Sequence, residues 1–468
     1  MVRDAREGRE VSRRALRESV EGARLSGKRS PARAPGAPPA ASPGDPRYFD
    51  ARDLEAELRR TFTICADCRM CVGYCGSFPI LFDAVDQEIT AGRADGAETV
   101  SDATVRAVSD HCWQCKLCYI KCPYTPDEGA YEALDFPRLM AREKAVRARR
   151  DGVPLVDRIL GEPATIGALS VGPQARIANL VNANRLVRKL AERTTGISAE
   201  FPLPPIATRA FSRWHEEHTP DAKAGSAGSV VLFPTCYGEH NFPGVPEAAT
   251  RVLEKNGFTV ELPEDLTCCG MPNLDGGDVE AARRKIEANV ALLEPYVARG
   301  LTIVVPGPTC GYTMKKEWAV YVETPAARAV AGATRDLMEF LDGLRREKRL
   351  NREYARGYGK VAYHAACHLR AQKIAVPGAR VLSTLPDTEV RIIERCSAVD
   401  GTWGMKAAYY EEGRRYAKRL VEDIASGRED GETAVVTDCS LAALRILKEN
   451  ALTARHPIEL LADAYGGA

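Results

Sequence analysis

The segment ARDLEAELRRTF, residues 51–62, sets Leu54 and Leu58 one helical turn apart among charged neighbours and predicts an amphipathic helix. FPRLMAREKAVRARR, residues 136–150, is helix-forming by composition. RIANLVNANRLVRKLAERTT spaces Ile177, Leu180, Val181, Val187, Leu190 and Ala191 at three- and four-residue steps, with Arg185, Arg188, Lys189 and Arg193 filling the other side. That pattern predicts a connecting helix whose apolar side packs on the protein itself, the alternative being a helix docked on a membrane surface or a partner. Past the Gly/Ser-rich KAGSAGS the period changes. Short apolar strings, SVVLFP, FTVEL and LTIVV, alternate with the amphipathic PGVPEAATRVLEKNG and DVEAARRKIEANVALLEPYVARG. A second round follows: KVAYH, VRIIE, the helix-like MKAAYYEEGRRYAKRLVEDIASG, and TAVVT. Strands that alternate with helices in this way predict parallel sheets.

A chain of 468 residues exceeds one core and predicts several domains. Its net charge of +1 offers no basis for nucleic acid as a partner. The longest apolar strings are strand-sized, far below a bilayer span. Residues 1–46 are rich in Arg, Ala and Pro, with five prolines between Pro31 and Gly44, and are expected to form a disordered tail. Within it Arg13, Arg14 and Arg17 are candidates to touch anionic lipid or a partner. No apolar leader is legible, so the fifteen cysteines are expected in a reducing cytosol, as metal ligands or redox groups and not as disulfides.

Eight of them form two quartets with the spacing C-x2-C-x2-C-x3-C. One is Cys65, Cys68, Cys71 and Cys75; the other is Cys112, Cys115, Cys118 and Cys122. Three thiolates at this spacing wrap one iron–sulfur cubane, and the fourth cysteine of each run ligates the other cluster. The expected ligand sets are therefore crossed. Cys65, Cys68, Cys71 and Cys122 hold one [4Fe–4S] cluster, and Cys112, Cys115, Cys118 and Cys75 hold the second. Pro123 follows the last cysteine as the pattern requires, whereas Gly76 stands at the corresponding place in the first run. Structural zinc uses four ligands, usually two C-x2-C pairs, and has no use for the third evenly spaced cysteine.

The remaining seven cysteines mark a repeat. Cys367, Cys396 and Cys439 follow Cys236, Cys268 and Cys310 by 131, 128 and 129 residues. Each falls at or beyond the carboxyl end of a predicted strand, where open parallel sheets build their sites. TCCGMPNLDGG, with Cys236 ahead of it and GPTCGYTMKKEW behind, resembles the CCG motif. HAACHLR, ERCSAVDGTWGMK and TDCSLA resemble an eroded copy. With its cysteine-rich front half the chain resembles the CCG-domain iron–sulfur oxidoreductase subunits, among them the C subunit of anaerobic glycerol-3-phosphate dehydrogenase and the B and C subunits of heterodisulfide reductase.

The resemblance implies an α + α/β architecture. A tail over 1–46 precedes an α-helical ferredoxin domain over 47–150 and a helical connector over 151–228; two tandem α/β CCG repeats with parallel sheets follow over 229–346 and 358–467. It implies electron transfer from a flavoprotein dehydrogenase or oxidase partner to a quinone or a membrane-bound acceptor, in a cytoplasmic protein that is at most peripheral on the membrane. A full CCG repeat supplies five cysteines to a further iron–sulfur cluster. Here the first repeat offers Cys236, Cys268, Cys269 and Cys310, with Gly307 in place of a cysteine. The second offers Cys367, Cys396 and Cys439, with Ser397 in place of one and His364 or His368 as candidate substitutes. The first set is expected to bind a cluster; the second is the weaker set, an interface or a vestigial site. Thiol chemistry on a disulfide substrate, or cluster-based redox sensing, are the competing uses. GYGKVA, residues 357–362, precedes a strand and so lacks the strand-to-helix order of a dinucleotide site.

Overall fold

A computed structural model describes residues 42–93, 96–399 and 401–466. The tail expected over 1–46 lies outside the described residues except for 42–46, which form turns, with Ser42 hydrogen-bonded to Glu323. Helices Ala51–Cys68, Ser77–Thr90, Asp102–Asp110 and Phe136–Asp151 then enclose one core. Asp50, Ser101 and Asp135 cap three of them, each accepting a backbone N–H of the first turn. Leu54, Leu58 and Phe62 meet Phe78, Phe82, Val108 and Met140 inside. Cysteines of both runs pack into this same core.

The second half contains two parallel sheets. β1 (Gly228–Leu232), β2 (Phe258–Glu261), β3 (Thr302–Val305) and β4 (Thr334–Asp336) take the order β2-β1-β3-β4. β5 (Gly359–His364), β6 (Thr388–Ile393) and β7 (Ala434–Thr437) take the order β6-β5-β7. Strands β2, β1 and β3 thus lie in the same order as strands β6, β5 and β7. β4, sequence TRD, has no apolar run to announce it. Its counterpart beside β7 is a single parallel bridge, Val436 to Arg455. Beyond it the repeat continues: Asp336 with Glu339, and His456 with Glu459, each form a capping box on the next helix.

Alternation explains why these strands read as continuous apolar strings. Val230 and Leu232 face a core shared with Val361, Tyr363, Leu382 and Val436 of the second sheet. Val231 and Phe233 face the opposite way, onto Ile286, Ile303 and Trp318. Each sheet is therefore covered on both faces, and one face of each covers the other sheet.

The connector holds helices Leu155–Leu160, Pro163–Ser170, Ala175–Ala183, Arg185–Thr195 and Phe211–Glu217. Here the expected packing is reversed. Asn184 splits the long helix and caps its second half, accepting from Leu186 and Val187 N–H. Ile177, Leu180, Leu186 and Leu190 are exposed, whereas Arg188 is buried and donates to the carbonyls of Ser198 and Phe201. Carbonyls turned inward need a donor, and the guanidinium supplies one to both. No helix among the described residues is long and apolar enough to cross a membrane.

Candidate metal centres

Cys65, Cys68, Cys71 and Cys122 line one cavity of about 30 Å³, with Phe78, Phe82, Pro123 and Leu134 as its apolar walls. The first three come from the end of one helix and the following loop. Cys122 comes from the far end of the second run. Burial pushes the Cys65 thiol well above its ordinary value, and the neighbouring Cys71, Cys122 and Cys68 push it further. Cys71 rises to about 12, through burial and then Cys122 and Cys68.

Cys75, Cys112, Cys115 and Cys118 are all buried. Burial, then the adjacent Cys112, raises Cys75 to about 12. Burial raises Cys118 well up too, followed by Cys115, Cys112, Cys75 and, from the first group, Cys71. Cysteines of the two groups pack into one core. The second has a donor of its own: Gln114 Nε2 gives one hydrogen bond to Cys112 Sγ at 3.3 Å and another to Pro137 O at 3.0 Å. Gln114 and Lys116 hold left-handed φ angles of 57° and 62°, which fold the run back on itself.

A third cavity, about 70 Å³, is lined by Cys236, Cys268, Cys269, Cys310 and Cys439. That is room for several atoms, since one water needs roughly 10–15 Å³. Cys236 opens a short helix behind Thr235, which sits at φ 69°, ψ 155°. Only glycine adopts that region easily, and a threonine there stores about 1–3 kcal/mol of strain. Its hydroxyl compensates in part by accepting from Gly238 N–H at 3.1 Å. Gly270, at φ 90°, makes the turn that faces the Cys268–Cys269 pair inward. Hydrogen bonds from Cys236 and Cys269 hold the Cys268 thiol well below its ordinary value, aided by Gly270 N–H and Lys285. Cys269 in turn bonds Cys310. The four thiols of the first repeat thus form one connected chain.

The residues that clamp this turn are not legible in the sequence. Asn289, fully buried, donates to Cys268 O at 3.1 Å and accepts from Thr267 N–H at 2.9 Å. Trp318 Nε1 donates to Cys269 O at 2.9 Å. Asn289 lies inside helix Val279–Ala298 and Trp318 opens helix Trp318–Tyr321. Neither carries a motif of its own; only their convergence on one loop reveals them.

The second repeat is divided. Cys439 lines the third cavity, while Cys367 and Cys396 pack against the core that holds the first two groups. His364 and His368 are no substitutes for a missing ligand. His364 Nε2 donates to Arg395 O at 3.1 Å and its Nδ1 accepts from Thr437 Oγ1 at 2.9 Å. His368 Nε2 donates to Gln114 O, and its Nδ1 accepts from Thr309 Oγ1, both at 3.0 Å. Burial lowers both imidazoles to about 4, so they are neutral with both nitrogens occupied. His368 instead joins Thr309, beside Cys310, to Gln114, between Cys112 and Cys115.

No three His, Cys, Asp or Glu side chains among the described residues converge as one metal ion requires. A cluster distributes its thiolates over several irons and needs a wider spacing, so soft thiol groups around small apolar cavities suit iron–sulfur chemistry.

Comparison with known proteins agrees with this chemistry. Residues 58–151 match the citrate utilization protein B Fer4-like domain, and residues 230–315 match the cysteine-rich CCG domain. The chain is 27% identical to the C subunit of anaerobic glycerol-3-phosphate dehydrogenase from Escherichia coli K12 over 311 residues, covering 65% of this chain and 76% of the relative. It is 24% identical to the glycolate oxidase iron-sulfur subunit of the same organism over 433 residues, 89% of this chain and 96% of the relative. The B subunit of fumarate reductase (CoM/CoB) from Methanothermobacter marburgensis is 29% identical over 219 residues, 46% of this chain and 41% of the relative. The chain thus carries a Fer4-like domain and a CCG domain in one polypeptide, and is a distant homologue of the iron–sulfur subunits of dehydrogenases and oxidases.

Proposed function

We propose that this chain is the electron-transfer subunit of a dehydrogenase or oxidase complex. In this reading Cys65, Cys68, Cys71 and Cys122 hold one [4Fe–4S] cluster, Cys75, Cys112, Cys115 and Cys118 hold a second, and the third cavity holds a further iron–sulfur centre. The observation that carries the reading is the succession of thiol groups. The first and second share one core, and His368 joins the second to the third. Clusters pass single electrons, so hydride or two-electron oxidation of an organic substrate falls to a flavoprotein partner.

The protein's own groups support a direction of flow. Cys65, Cys68, Cys71 and Cys122 are only partly buried, and Met70 and Val72 beside them are exposed. That rim offers the partner an apolar contact close to the first group. The second group is buried, which keeps its thiols largely from bulk water. The exposed Ile177, Leu180, Leu186 and Leu190, with Arg185 and Lys189 nearby, suit peripheral attachment to an anionic membrane, where a quinone would accept the electrons.

Anaerobic purification with iron and sulfide quantification, followed by electron paramagnetic resonance, tests the reading. Two magnetically coupled cubanes and a third distinct signal are expected, together with co-purification of a flavoprotein. A colourless protein carrying zinc refutes it. Turnover of a disulfide by the isolated chain, dependent on Cys268 and Cys269, would instead favour a reductase.

A further inference from the structure

The closing C-x2-C pair of a full CCG repeat is incomplete in both halves of this chain, and the two losses are complementary. Gly307 lies two residues past the end of β3 and caps helix Pro308–Lys316. Cys439 lies two residues past the end of β7 and caps helix Ser440–Asn450. The structure therefore aligns Cys439 with Gly307, 132 residues apart, and not with Cys310 as the cysteine spacing alone suggests. Ala442 then occupies the place of Cys310. The first repeat has kept the second cysteine of the pair, and the second repeat has kept the first.

We propose that Cys439 crosses from the second repeat to complete the first, so that one centre is held by Cys236, Cys268, Cys269, Cys310 and Cys439. Three observations carry this. Cys439 and the four other thiols line the same cavity. Tyr237, which follows Cys236 in the first repeat, and Cys439 of the second pack against one and the same apolar core, so the two repeats meet beside the cavity. The position that would normally supply the fifth thiol is tight: a Cβ on Gly307 would stand 3.2 Å from the Thr235 methyl group, so the methyl would have to give by a few tenths of an ångström. Thr235 is itself fixed by its unusual backbone and its helix-capping hydroxyl, so it has little freedom to retreat. Cys439 packs against the core that the two sheets share, which keeps it at the cavity. The duplication is then functional as one site built from two halves, and the second repeat is required for it.

This ligand set rests on the reading of the cavity as an iron–sulfur site, and the test separates the two. The protein is purified anaerobically as wild type, Cys310→Ala, Cys439→Ala and Cys439→Ser, with iron, sulfide and paramagnetic spectra measured on each. Both alanine variants are expected to lose the third signal and its share of iron while keeping the cubane signals, which also report a folded ferredoxin domain. Cys439→Ser, which preserves shape, is expected to shift the third signal. A third signal unchanged in Cys439→Ala and Cys439→Ser but lost in Cys310→Ala overturns the crossing alone. A wild-type protein with cubane signals only overturns the cavity reading and the ligand set together.

Discussion

Gln114 offers a sharp test of the second thiol group. It is 2% exposed, its Nε2 donates to Cys112 Sγ and Pro137 O, and its Oε1 accepts from Lys116 Nζ at 2.8 Å. Gln114→Met keeps an unbranched side chain of similar length and removes both donors. A hydrogen bond to a charged sulfur contributes about 1.5–3 kcal/mol. In the [4Fe–4S] site proposed above, reduction would add negative charge to the sulfurs, so the bond would be stronger in the reduced state. If about 1 kcal/mol of it is specific to that state, its loss lowers the one-electron potential by about 40 mV. Pro137 O also loses its side-chain donor inside the protein, which costs roughly 1–3 kcal/mol of stability. Lys116 retains Glu317 at 3.5 Å, so the cation is not stranded. A redox titration followed by paramagnetic resonance reads the potential, and denaturant unfolding reads the stability. A potential that stays within about 10 mV of wild type, or rises, refutes the placement of Gln114 against a cluster sulfur.

Three further outcomes are expected. Trp403 of the second repeat packs on Trp113 at 4.7 Å and donates to Asp110 O at 2.8 Å, so Trp403→Ala should cost about 3–5 kcal/mol in denaturant unfolding and Trp403→Phe about 1–2 kcal/mol; an alanine cost below about 1 kcal/mol would contradict this interface. His456, buried, donates to Pro306 O and caps a helix while neutral, and burial lowers it to about 3. The unfolded chain takes up that proton near pH 6.5 and the folded one does not, so its stabilisation is complete above pH 6.5 and falls by up to about 5 kcal/mol as pH drops to 3. His456→Asn should flatten that part of the acid-unfolding curve, and an unchanged slope would count against the buried neutral state. Leu186→Ser combined with Leu190→Ser should weaken sedimentation with anionic vesicles at least tenfold, since each leucine forfeits about 1.5–3 kcal/mol of burial; equal binding would assign the exposed face another role.

The sequence by itself carried the cysteine pattern and the order of the parts. Cysteine spacing within one short loop is a local property, because a few residues can reach around one cluster wherever the loop is placed. Strand strings and helical periods were equally legible, since burial on both faces of a sheet leaves an apolar run. Tertiary structure alone decided which way the connector turned. Its stripe pattern is the same whether the leucines face in or out, and the buried contacts of Arg188 settle the matter. It also located Asn289 and Trp318, whose roles exist only where they meet the CCG turn. The cysteine offsets paired Cys439 with Cys310, because spacing counts residues and not strand ends. Measured from the ends of β3 and β7, Cys439 falls on Gly307, and only the packing of two sheets brings that thiol to the other repeat.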